Sequence, residues 1–242
     1  MKLLIYSDLH LEFADFESPD VRPDLVILAG DISTRARGVI WACYAFECPV
    51  LYVAGNHEYY QGHMDATFKQ MQEAASPHVH VLNNACYVLD GVRFLLTTGW
   101  TDFTSTGDRP AAMRTCSEWM TDYQAIRTGE EYRRLRPSDV VNRNHKARDF
   151  LARELAVPYE GKTVVITHHC PVPEVAGDKH DGHLLAAYTN QWHYLVDRAD
   201  AWVFGHTHQF VDTHIGDCRV ISNPRGYPSE HTGFVHDFTI EL

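Results

Sequence analysis

The sequence is poor in several things, and each shortage narrows what the chain can be. Its six cysteines (Cys43, Cys48, Cys86, Cys116, Cys170 and Cys218) form no CxxC pair. That spacing excludes a thiolate metal cluster and a thioredoxin-type redox site. Six cysteines in 242 residues are also too sparse for the disulfide framework of a small secreted domain, so they are expected to be reduced. No apolar run approaches the roughly 20 residues that span a bilayer. The apolar start of MKLLIYSDLH is cut off by Asp8, His10 and Glu12, which leaves no signal-peptide core. A cytoplasmic location without a membrane partner is the expectation. Positive charge is scarce as well: 21 Lys and Arg stand against 32 Asp and Glu, a net charge of -11. Such a field disfavours general binding to nucleic acid or anionic lipid. Bound divalent cations would offset part of it. There is no internal repeat and no low-complexity stretch.

An apolar fraction of 45% is enough for a sizeable core. Apolar runs recur, and each ends in a polar cluster. Leu3–Tyr6 leads into Ser7-Asp8-Leu9-His10, and Leu25–Ala29 into Gly30-Asp31. Val50–Ala54 leads into Gly55-Asn56-His57-Glu58, Thr163–Thr167 into His168-His169, and Ala201–Phe204 into Gly205-His206-Thr207-His208. Runs of this composition predict strands buried on both faces. Helix-compatible stretches at 35–47 and 62–75 fall between them, which implies an α/β fold with a largely parallel sheet. Sites in such sheets form beyond the carboxyl ends of strands, where all five clusters lie. The segments 79–82, 86–89 and 92–98, and again 210–215, 219–222 and 234–242, predict antiparallel additions to a second sheet, with Asp90-Gly91 and Gly216-Asp217 as turns. Residues 100–160 break the rhythm. Helices are predicted at about 110–126 and 138–155, the second with Ser138 as candidate N-cap, and the region is taken as a helical insertion over the site within one domain spanning 1–242.

The clusters offer carboxylate, imidazole and amide donors, a mixture that suits Mn²⁺, Fe²⁺ or Zn²⁺. Asp8 and His10 are two apart at a strand end, as are His206 and His208, so each pair can aim at one point. A lone pair of this kind is weak. The ordered set DLH, GD, GNHE, THH and GHTH is specific, and on it the chain resembles the calcineurin-like metallophosphoesterases over most of its length. The resemblance implies an αββα sandwich with two mixed central sheets. It implies two divalent ions: Asp8, His10 and His208 on the first, Asn56, His168 and His206 on the second, and Asp31 shared between them. It implies hydrolysis of a phosphoester by metal-bridged hydroxide, with His57 protonating the leaving group or stabilising transition-state charge. Of the adjacent pair, His168 is favoured as ligand, and His169 is expected either near the pocket rim, as a candidate substrate contact, or hydrogen-bonded behind the ligands. Glu58 is expected to orient His57 or a ligand histidine. The family's coloured iron site uses a tyrosine soon after the bridging aspartate. Here Ile32-Ser33-Thr34 follows, which leaves Mn²⁺, Fe²⁺ or Zn²⁺.

Substrate loops carry no readable motif. Arg225, in Asn223-Pro224-Arg225-Gly226-Tyr227, is a candidate phosphate ligand, and Asp102 a candidate pocket residue. Residues 127–153 hold eight Lys and Arg against four acids, either a solvated helical face or an attraction for phosphate. The loop GDKHDGH, with His180 and His183, is expected to pass near the site. A small phosphodiester is the favoured substrate. A phosphomonoesterase, or a nuclease on single strands, would use the same donors, and a non-catalytic metal-binding scaffold is the reading of a different class. The oligomeric state is not legible.

Overall fold

The structure, a computed structural model, describes residues 1–242. The first half alternates strand and helix: β1 (Lys2–Tyr6), β2 (Leu25–Leu28), α1 (Arg37–Ala45), β3 (Val50–Tyr52), α2 (Met64–Ala74) and β4 (Val79–Val81). A hairpin of β5 (Ala85–Leu89) and β6 (Val92–Leu96) follows, then α3 (Arg109–Trp119), α4 (Asp122–Ala125), a small ribbon of β7 (Arg127–Thr128) and β8 (Arg133–Arg134), and the long α5 (Pro137–Ala156). The chain ends with β9 (Thr163–Ile166), α6 (His193–Val196), β10 (Ala201–Val203), the hairpin β11 (Val211–Ile215) and β12 (Cys218–Ser222), and β13 (Thr239–Glu241).

The strands form two mixed sheets, ordered β13-β1-β2-β3-β4 and β11-β12-β10-β9-β6-β5. Alternation along each strand builds three apolar layers. Leu3, Ile5, Ile27 and Leu51 meet Phe94, Val164, Ile166 and Val203 between the sheets. Leu4, Tyr6, Val26 and Tyr52 face outward beneath α1, α2 and α3, in a cluster with Val39, Met71 and Cys116. Val165, Trp202 and Val220 face outward against Phe150, Leu151 and Leu195 of α5 and α6. Two-sided burial of this kind explains the unbroken apolar runs. This is the αββα sandwich with two mixed central sheets. All six cysteines are free, and no helix is long and apolar enough to cross a membrane.

Four local expectations need correction. β4 joins the first sheet, parallel to β3, because the crossover through α2 returns the chain to the edge of the sheet it left. β13 also joins the first sheet, antiparallel to β1 through Lys2↔Glu241, a pairing between chain ends that no local pattern announces. α5 begins one residue before Ser138. The capping contact comes instead from Asp139, whose carboxylate accepts from the Arg136 backbone N–H at 2.9 Å. The helix predicted at 110–126 is broken at Met120, whose backbone is extended. Within 100–160, Trp119, Met120 and Thr121 reach the rim of the site, whereas α5 is the crossover between the parallel strands β6 and β9 and packs on the second sheet.

Candidate metal centre

The site is assembled from the turns that leave β1, β2, β3, β9 and β10. The first two turns are stitched together: Asp8 N–H donates to Gly30 O at 2.9 Å and His10 N–H to Asp31 O at 3.0 Å. Leu9 is buried in the core between Asp8 and His10, so the two polar side chains share the other side. Asp8, His10, Asp31, His206 and His208 all have left-handed backbones, with φ of 50, 47, 55, 72 and 52°. This region is uncommon for residues other than glycine, and such outliers concentrate at functional sites. It lets the chain turn sharply just beyond the ends of β1, β2 and β10. The neighbouring glycines are required by crowding. A Cβ on Gly55 would lie 2.7 Å from His168 Cε1, and one on Gly205 would lie 2.6 Å from Asp8 Oδ2.

Asp8, His10, Asp31, Asn56, His168, His206 and His208 are all buried. Their donor atoms fall into two groups, Asp8 with His10 and His208, and Asp31 with His168 and His206. In the first, His10 Nε2 and His208 Nε2 face each other at 3.2 Å, and His208 Nε2 is 3.4 Å from Asp8 Oδ1. In the second, His168 Nε2 lies 3.0 Å from Asn56 Oδ1, 3.2 Å from His206 Nδ1 and 3.5 Å from Asp31 Oδ2. His206 Nε2 is buried without a partner.

The surrounding hydrogen bonds show whether a cation fits. His10 Nδ1 faces Glu12 at 3.2 Å, His208 Nδ1 faces Glu230 at 2.5 Å, and His168 Nδ1 faces the Ala29 carbonyl at 2.9 Å. Each outer nitrogen is thus placed to give a proton to an oxygen, which turns each Nε2 inward as the atom that would meet a cation. Two imidazole nitrogens 3.2 Å apart need a proton or a metal ion between them. Histidine metal ligands are held in this way by an outer acceptor. Asn56 is oriented likewise: its Nδ2 donates to Asp122 at 3.0 Å, which turns its oxygen toward His168. Burial, together with His169 and His168, holds His206 well below the usual histidine range. Burial would raise Asp31, but His168 and His57 outweigh it and hold the carboxyl well below the usual carboxylate range. Burial would lower His168 and His208, but Asp31 beside the first and Asp8 beside the second outweigh it and raise them to about 9 and about 10; a divalent metal on this donor set would take the place of those protons.

The other predicted residues are placed as follows. His57 lies beside the clusters, with Nδ1 on Glu12 at 2.8 Å and Nε2 facing the Tyr227 hydroxyl at 3.2 Å and Asp31 at 3.9 Å. His169 is buried, with Nδ1 3.2 Å from Thr98 O and its ring 4.8 Å from Trp100; burial and His168 push it down to about 3. Asp102 caps its own turn by accepting from the Thr104 N–H and hydroxyl. Arg225 donates to the carbonyls of Leu9, Ala14 and Asp15 and lies over Phe16, so its guanidinium ties down the 9–16 loop instead of reaching into the cleft. Glu58 orients no histidine. It is fully buried and accepts from the backbone N–H groups of Asp31, Ile32 and Gly55 and from the Tyr52 hydroxyl, clamping two strand-end turns together. His180 stacks on Tyr188, which stacks on His206.

Sequence reasoning missed Glu12, Tyr60, Asp122, Tyr227 and Glu230. Glu12 continues the every-second-residue spacing of Asp8 and His10, which was a usable clue. Asp122 and Glu230 reach the site from distant segments and had none. Trp119, Thr121, Lys179 and Tyr227 border the open side, a cleft of about 190 Å³.

Comparison with known proteins agrees with this geometry. The profile of the family described as calcineurin-like phosphoesterase matches residues 1–210. An uncharacterised protein of Acanthamoeba polyphaga mimivirus is 23% identical over 275 residues, covering 97% of this chain and 94% of its own. Among solved structures, the phosphopantetheinyl hydrolase of Mycobacterium tuberculosis superposes with a TM-score of 0.69 at 19% identity, covering 94% of this chain and 90% of its own. At that identity the likeness is one of fold.

Proposed function

The chain belongs to the calcineurin-like phosphoesterase family, and from that premise we propose that it hydrolyses a small phosphodiester at a dinuclear metal site. The observation that carries this reading is the pair of buried donor clusters whose inward imidazole nitrogens converge while the outer nitrogens of His10, His168 and His208 each face an oxygen. Asp8, His10 and His208 would hold one ion, Asn56, His168 and His206 the other, with Asp31 shared. Divalent ions held by these residues would supply Lewis-acid charge for a phosphate and would lower the pKa of water.

The chain's own groups do the rest. Glu12 fixes the His57 ring through Nδ1 and supports a positive charge on it, leaving Nε2 to give a proton to the departing oxygen. Asp122 sets the Asn56 amide. Glu58 keeps the turns bearing Asp31 and Asn56 in register. The narrow cleft admits an extended ester and, with Trp119 and Tyr188 on its border, supports a small organic substrate over a protein surface. Mn²⁺, Fe²⁺ or Zn²⁺ would suit the nitrogen-rich donors.

The test is hydrolysis of bis-p-nitrophenyl phosphate and p-nitrophenyl phosphate by metal-stripped protein, with Mn²⁺, Zn²⁺, Fe²⁺, Ni²⁺ and Mg²⁺ restored singly. A phosphopantetheinyl ester belongs in the panel because of the substrate named for the mycobacterial relative. Metal-restored cleavage of diesters over the monoester is expected. Preference for the monoester would replace the diesterase reading with a phosphatase, and two bound metals with no cleavage of any ester would replace it with a scaffold.

A further inference from the structure

A second cleft, about 520 Å³, opens beside the first, and the two share His57, Tyr60, Thr121 and Tyr227. The two clefts adjoin along these four residues, His57 among them. The second cleft is within the size range of small-molecule sites. Its wall carries Arg35 and Arg37, four and six residues past Asp31. Both are exposed. Neither guanidinium pairs with a carboxylate. Glu12, the acid of this wall, is already engaged with His57 and His10. On a chain of net charge -11, two unneutralised arginines beside the reaction centre stand against the general field.

Arg35 is held in place. Its φ of 57° is left-handed, a conformation unfavourable for a residue with a Cβ. It is imposed by Arg35 N–H donating to Glu58 O at 2.9 Å, on the segment that forms the metal-site turns. The Arg35 guanidinium also donates to the Gln61 carbonyl. The side chain therefore enters the cleft from a backbone fixed to the catalytic framework. An aromatic corner borders the same cleft: Phe13, 58% exposed, meets Tyr227 edge to face at 5.4 Å.

We propose that this cleft receives the departing part of the substrate, and that Arg35 and Arg37 bind a second phosphate carried on it. The inference rests on the proposed function, in which His57 faces the leaving oxygen. Whatever lies beyond His57 is then the leaving group. Two guanidiniums match a phosphate dianion in charge and in fork geometry. Phe13 and Tyr227 supply a face for a flat or apolar connecting portion. The substrate class is a phosphodiester whose leaving alcohol is itself phosphorylated. In its hydrolysis a water oxygen bonds to phosphorus, the bond from phosphorus to the departing oxygen breaks, and that oxygen takes up a proton.

The experiment compares kcat/KM for thymidine dinucleotides with and without a terminal phosphate, placed at the 5′ end in one pair and at the 3′ end in the other so that whichever nucleoside departs carries it in one pair, using Mn²⁺-loaded protein. In the unmodified protein the phosphorylated form of one pair is expected to be preferred by at least about tenfold, the scale of one charge-assisted contact. In the Arg35→Gln, Arg37→Gln double variant that ratio should fall to within about twofold. Arg198→Gln, an exposed arginine elsewhere, changes the net charge by one unit and should keep the ratio. Thermal melting confirms that the variants fold, and Arg37→Gln alone provides the same readout if the double variant melts early. A ratio near one for both pairs in the unmodified protein, or a ratio that survives in the folded double variant, overturns the inference while hydrolysis of bis-p-nitrophenyl phosphate keeps the proposed function standing. Loss of hydrolysis of every diester overturns both.

Discussion

Replacing Gly55 by alanine adds one methyl group against Asp31 and His168 of the candidate metal centre. Gly55 is outside the left-handed region, so alanine meets no backbone penalty, and the effect is purely steric. The new Cβ would sit 2.7 Å from His168 Cε1 and 2.8 Å from Asp31 N, and closer still to Asp31 Oδ1. Carbon contacts settle at about 3.5–4.0 Å, so roughly 1 Å of displacement is needed. Neither neighbour is free to give way. The Asp31 N–H is held by Glu58 at 2.9 Å, its Oδ1 accepts from His57 N at 2.8 Å, and His168 is held by the Ala29 carbonyl. Misplacing a reacting group by about 1 Å costs on the order of 100-fold in rate. Overpacking costs about 1–3 kcal/mol, or roughly 2–12 °C in melting temperature for a chain of this size. The assay is kcat on bis-p-nitrophenyl phosphate at saturating Mn²⁺, with metal per chain by mass spectrometry and a thermal melt. Gly107→Ala is the control: its φ of 83° makes alanine strained, but nothing lies within 4 Å, so it should lose a little stability and keep its metal. A folded Gly55→Ala protein with full metal content and kcat within about threefold of the parent would refute the collision argument and its assumed 100-fold scale.

Three further outcomes follow from the site. Glu58→Gln leaves at least one of three buried N–H donors without an acceptor, at about 1–3 kcal/mol each, so chemical denaturation should show a clear drop in stability; an unchanged midpoint would mean the clamp is dispensable. Asp122→Ala frees the Asn56 amide and the Tyr60 hydroxyl; support of this kind is worth roughly 10–100-fold in metal affinity or activity, and metal titration would detect it. Chelation should lower the melting temperature, and Mn²⁺ at about 1,000 times its Kd should restore roughly 4 kcal/mol, or about 8–16 °C. A melt indifferent to metal would argue that the donor clusters are satisfied without one.

The parts of this molecule that were legible in the sequence are those encoded locally. Buried strands appear as unbroken apolar runs, and Asp8, Asp31, Asn56, His168 and His206 each stand within a few residues of a strand end. What was illegible depends on distant partners. Nothing in 79–82 or 234–242 says which sheet receives them, since edge pairing is decided by crossover geometry and by the meeting of chain ends. No glycine or proline marks the break at Met120; it directly precedes the turn that brings Asp122 to Asn56 and Tyr60. Glu230 is 22 residues from the histidine it holds. Arg225 shows the limit of reading chemistry from residue type: its charge suits a phosphate, yet three carbonyls of the 9–15 loop surround it.

The left-handed backbone shared by Asp8, His10, Asp31, His206 and His208 bears on how the site should be dissected by mutagenesis. Alanine at any of these positions removes a donor atom and also leaves a Cβ in a conformation that disfavours it by about 1–2 kcal/mol without the polar side chain that eases it. A scan with alanine would therefore mix lost chemistry with backbone relaxation and would credit each residue with more than its donor atom supplies. Asparagine tolerates this region, and glycine populates it freely. For these five positions the informative changes are Asp31→Asn, which removes the charge, or His206→Gly, which removes the donor, while leaving the turn that presents it.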